Sequence, residues 1–159
     1  MSDFWPDDIG IPDKTKSPVI ILKEIASALG ERTKNNVTAT VKNAESRSNE
    51  MPFRYIFFIV AKALNNYQFK LFEIEFGVPL YPLTIIPDEN IIAELDSQSG
   101  EFKILKIDRP IPDSYRTEEV MGIHVESDQE FLQVLNMITN SSRTRKIIRS
   151  LVSQIETLH

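Results

Sequence analysis

The segment from Phe53 to Ala61 reads Phe-Arg-Tyr-Ile-Phe-Phe-Ile-Val-Ala, and few folds accept a run that is apolar on both alternating sides. Phe53, Tyr55, Phe57 and Ile59 share one side of an extended chain, while Ile56, Phe58 and Val60 share the other. The pattern predicts an interior strand covered on both faces. Asn65-Asn66 tolerates the positive φ of a tight hairpin, so Gln68 to Phe76 is expected to return antiparallel to it. Val37, Ala39 and Val41 alternate with Thr38, Thr40 and Lys42, which predicts a further strand with one wet face.

Prolines constrain the chain beyond Phe76. Val78-Pro79-Leu80-Tyr81-Pro82 reads as an edge or a loop, because each proline lacks a ladder donor. Ile91 to Leu95 and Phe102 to Ile107 flank Asp96-Ser97-Gln98-Ser99-Gly100 and read as a second hairpin. Pro110 and Pro112 close this region, and Val120 to Val125 reads as a short last strand or irregular chain.

Helical spacing brackets the strands. Ser17-Pro18 reads as an N-cap with proline at the first helical position; Ile21, Leu22, Ile25, Ala28 and Leu29 come after it at helical steps, and Gly30 reads as a stop. Ser127 with Glu130 forms a capping-box pattern ahead of Phe131, Leu132, Leu135 and Ile138. Ile148, Leu151, Val152 and Ile155 mark a final helix. The expected class is α+β: an antiparallel sheet of about five strands, preceded by one helix and followed by two amphipathic C-terminal helices. With 159 residues and 42% hydrophobic content, the chain suits one domain over residues 17–159, behind an acidic arm over residues 1–16.

Several chemistries lose their residues. With no cysteine, thiolate catalysis, disulfides and cysteine-based metal sites drop out, and a reducing compartment fits. The N-terminus lacks the basic and apolar regions of a secretory signal, and the apolar run Tyr55 to Leu64 is too short to span a bilayer, so a cytoplasmic protein away from membranes is expected. The glycines at 10, 30, 77, 100 and 122 match no phosphate-binding loop or nucleophile elbow. His124 is the one internal histidine and reads as structural. The pairs Glu73 with Glu75 and Glu94 with Asp96 read as the wet sides of strands.

Pro87-Asp88 followed by Glu101-Phe102-Lys103 resembles the PD…ExK signature of restriction-endonuclease-like enzymes over 17 residues. The resemblance implies two acids holding Mg²⁺ and a lysine orienting water, and makes a metal-dependent nuclease or another phosphate-handling enzyme the alternative function. On the expected hairpin, however, Asp88 lies roughly 25 Å from Glu101 at the strand rise.

Charge placement gives the remaining signal. Arg143, Arg145, Lys146 and Arg149 crowd the start of the last helix against Glu156 alone, in a chain whose net charge is −5. Cations there oppose the helix dipole, so an anion is expected among Ser142, Arg143, Arg145, Lys146 and Arg149. Acids of the same domain, or the acidic arm of a neighbour, are the preferred source. Nucleic acid fits poorly with an acidic chain. The arm's Phe4 and Trp5, and Tyr81 at the proline-marked edge, are candidate partner-binding residues. Together these readings predict a non-enzymatic interaction module without cofactor, of the accessory-subunit, immunity, antitoxin or chaperone type, binding another protein and forming a homodimer.

Overall fold

A computed structural model describes residues 4–12, 14–98 and 102–158. In chain order the elements are α1 (Pro18–Arg32), β1 (Thr38–Ala44), β2 (Phe53–Ala61), β3 (Tyr67–Phe76), β4 (Leu83–Pro87), α2 (Glu89–Gln98), β5 (Lys103–Pro110), β6 (Thr117–Val125), α3 (Asp128–Thr139) and α4 (Ser142–Glu156). The class is α+β, with six antiparallel strands in one sheet rather than about five, ordered β1-β2-β3-β4-β6-β5. No helix among the described residues is long and apolar enough to cross a membrane.

The first three strands form a meander, of which the β2–β3 hairpin is the expected part. Asn65 and Asn66 both take positive φ between β2 and β3, a conformation that asparagine tolerates better than most residues. Leu71 is the extra residue of a bulge where Phe57 pairs Phe72 but Phe58 pairs Lys70. Phe57, Ile59, Phe72 and Ile74 are buried on the side that carries the helices. On β2's other side Arg54 and Val60 are buried, whereas Ile56 and Phe58 are half-exposed.

The second half departs from expectation. Ile91 to Leu95 is helical, not a strand: the Asp88 carboxylate accepts from Asn90 N–H at 3.1 Å, and Ile91, Ile92 and Leu95 bury one helical face. Their spacing of one and four fits a helix as well as a short strand, which is where the alternation misleads. The strand that pairs with β5 is β6, and β4, which follows Pro82 and ends on Pro87, is an unforeseen strand with all five residues buried. Because β4 and β5 both pair antiparallel with β6, α2 joins parallel strands by crossing over the strand between them.

Helix ends show smaller differences. Ser17 occupies the N-cap of α1 without a side-chain bond, and the helix continues through Gly30 to Arg32. The turn is made by Lys34 and Asn35 with positive φ, while Gly30 keeps negative φ and sits where a Cβ would meet Asn35 Oδ1 at 3.0 Å. Ser127 caps α3 as its pattern predicts, accepting from Glu130 N–H at 3.2 Å.

At one end, the face of the sheet away from the helices curls under the β1–β2 loop. Arg47 in that loop donates to Pro110 O at 3.2 Å, tying the hairpin of one edge strand to the end of the other.

Candidate functional site

The sheet register places Arg54, Glu73, Glu75, Arg109 and Glu118 on that curled face. Arg54 Nε donates to Glu73 Oε2 at 2.6 Å, Arg109 Nη1 lies 2.6 Å from Glu73 Oε1, and Arg109 Nε donates to Glu118 at 2.7 Å. Glu73, expected to face water, has a side chain 0% exposed. Besides Lys70 three residues before it, its partners are Arg54 across the hairpin and Arg109 from β5, and the pattern along β3 does not announce either guanidinium. Burial pushes the Glu73 carboxyl up, but the charges of Lys70, Arg109 and Arg54 together hold it below the ordinary glutamate value. Glu75 goes the other way: burial and the Glu73 charge raise it despite Arg109 and Arg54. Two guanidiniums and Lys70, 3.4 Å from Glu73, face the three carboxylates, an arrangement that suits a structural role.

The basic start of α4 is compensated from within. Ser141 caps the helix, accepting from Thr144 N–H at 3.2 Å. The Glu94 carboxylate accepts from Ser142 N–H at 2.8 Å and Arg143 N–H at 3.4 Å, and Arg143 pairs with Asp88 at 3.5 Å. Ser142 and Arg143 are thus engaged by acids of the same domain, while Arg145, Lys146 and Arg149 stay exposed. Glu94, expected on the wet side of a strand, stands instead on α2 as this anion. Replacing Glu94 with alanine is expected to cost about 1–2 kcal/mol, as loss of a charged N-terminal cap does. Glutamine, which keeps an acceptor, should cost less; equal urea midpoints for wild type and Glu94→Ala would contradict the contact.

The remaining sequence candidates scatter. Phe4 and Trp5 are 89% and 69% exposed. Tyr81 turns inward, its ring edge-on to Phe131 at 6.4 Å, and burial, aided by the Asp128 charge, pushes its hydroxyl up to about 12. Asp88 serves α2 and Arg143, Lys103 starts β5 opposite His124, and Glu101 lies outside the described residues. Without the expected hairpin, the separation of roughly 25 Å that rested on it no longer applies. Among the described residues no three or more His, Asp or Glu side chains gather as metal ligands do. His124 Nε2 lies 2.9 Å from Glu126.

One recess is unforeseen. Between α1 and α3 runs an open groove of about 450 Å³, floored by Phe57, Ile59 and Leu71 of the sheet. Ile25 and Leu29 wall it on one side, Leu132 and Leu135 on the other, and Thr144 and Ile148 of α4 close one end. Arg32 is the only charged side chain lining it, and Leu132 remains 50% exposed. Every one of its apolar residues has a ready place in a core pattern, so no signal along the chain shows that two stripes face each other without closing. Compared with known proteins, the chain matches no family model, no curated protein and no solved structure.

Proposed function

We propose that the chain is a non-enzymatic protein-interaction module whose α1/α3 groove takes an amphipathic segment of another protein, apolar on one side and acidic on the other. The observation that carries this reading is the groove itself: an apolar floor and walls with Arg32 as the single lining charge. Its volume lies within the roughly 300–1,000 Å³ of sites that hold ligands. Apolar side chains spaced along one face of a peptide helix would fill it, which is the helix-in-groove mode of recognition. Acids on the peptide would meet Arg32, the one charged side chain lining the groove.

A selection from a displayed library of amphipathic peptides tests this. The expected result is enrichment of peptides with apolar residues at helical spacing and Asp or Glu between them. Their affinity should fall about tenfold or more for Leu132→Glu, equivalent to about 1.4 kcal/mol or more. No enrichment, enrichment of basic peptides, or binding indifferent to Leu132→Glu would overturn the reading.

A further inference from the structure

The arm ahead of α1 has the composition this groove calls for. Phe4, Trp5, Ile9 and Ile11 are all largely exposed, four large apolar side chains within eight residues. The only charges over residues 4–12 are Asp7 and Asp8. Pro6 and Pro12 keep the segment out of helix and ladder, and it folds into two short turns, with Ile9 N–H donating to Pro6 O at 3.1 Å and Ile11 N–H to Asp8 O at 3.0 Å. A cluster of exposed apolar groups on such a segment marks a surface that docks elsewhere.

We propose that the groove between α1 and α3 receives the N-terminal arm of a second copy of the chain, so that two copies exchange arms. The inference rests on the proposed role of the groove as a binding site for an acidic apolar segment, and names one such segment. Apolar character matches on both sides: Phe4 and Trp5 offer two flat rings, and the groove's accessible walls offer Ile25, Leu29, Leu132 and Ile148. Charge matches too, since Asp7 and Asp8 approach a groove whose one lining charge is Arg32. The donor is a second copy because Phe4, Ile9 and Ile11 stay largely exposed while the groove of the same chain stands open. Each copy brings one arm and one groove, so a reciprocal exchange closes into a two-fold pair with both contacts made twice.

Trp5 is the only tryptophan in the chain, so its emission reports the arm without a label. The experiment dilutes the full-length protein over a wide concentration range while recording Trp5 emission and mass by light scattering. The expected result is a blue-shifted emission at high concentration that relaxes to the red as dimer mass is lost. Phe4→Ser combined with Ile9→Ser, which leaves Trp5 and the body intact, should weaken association about tenfold or more, as should Leu132→Glu. Mixing the arm variant with the groove variant should recover one of the two contacts and a mixed pair. A blue shift that does not depend on concentration would place the arm in its own groove and overturn the proposal. A red emission at every concentration would overturn it as well. If library peptides bind the groove while Trp5 never shifts, arm exchange falls and the binding-module reading stands; if neither occurs, both fall.

Discussion

Glu73→Gln is expected to lower the unfolding free energy by about 3 kcal/mol, the low end for breaking a buried ion pair, because it removes the buried carboxylate that both guanidiniums share at close range while Glu118 still faces Arg109. Arg54 and Arg109 have the alternative acid Glu75 at greater range, 4.0 Å from the first and 3.3 Å from the second. Glu75→Gln should cost clearly less, about 1 kcal/mol, since its contacts to the two guanidiniums are the longer ones and burial and the Glu73 charge act against its ionised form. The two residues also part in acid. Glu73 is lowered in the fold, so its stabilising contribution is in force above the unfolded value of 4.5 and is lost as pH falls through the lower native value. Glu75 is raised, so its contribution is present below 4.5 and is lost as pH rises through its higher native value. Acidification from neutrality should therefore strengthen the network slightly before weakening it. Urea unfolding at a series of pH values would show Glu75→Gln losing the first phase and Glu73→Gln the second. Identical profiles for both variants would contradict the assignment.

Phe72→Ala should be comparably damaging for a different reason. Its ring is fully buried at the centre of the sheet and stacks on Phe57 with centroids 4.9 Å apart. Truncating such a side chain costs about 3–5 kcal/mol in lost transfer energy and residual cavity. For a chain of this size each kcal/mol moves the melting temperature by roughly 2–4 °C, so a fall of about 6–20 °C is expected. Phe69→Ala, on the same strand but half-exposed beneath Arg143, is the control and should cost clearly less. Equal losses for both positions would mean that the core does not centre on Phe72.

What the chain makes readable is local. The β2–β3 hairpin, the capping of α3 and the two amphipathic C-terminal helices each rest on contacts within a few residues, and periodicity or turn chemistry reveals such contacts. What escapes depends on partners far along the chain. Glu73 and Glu75 look like a wet strand face until Arg54 and Arg109 arrive from β2 and β5. Ile91, Ile92 and Leu95 fit either period, and the helix is settled by the Asp88 cap and by packing. Leu83 to Pro87 is concealed by prolines, which bound this interior strand without breaking it. At the candidate site, an acid of the same domain is the expected partner for Arg143, yet Glu94 cannot be singled out while α2 reads as a strand. The α1/α3 groove depends on how far apart two helices stand, a quantity that apolar stripes do not encode.

The crossing of α2 over β6 fixes an order in which the chain can be completed on the ribosome. The meander from β1 to β4 can zip up as it emerges, neighbour upon neighbour, but the outer edge of β4 has no mate until residues near Val125 have been made. For that interval an interior strand offers its free N–H and C=O groups to any passing extended chain. The nascent protein is thus most vulnerable to clumping in the window between synthesis of α2 and arrival of β6, and whatever shields it then must cover that single ribbon of backbone.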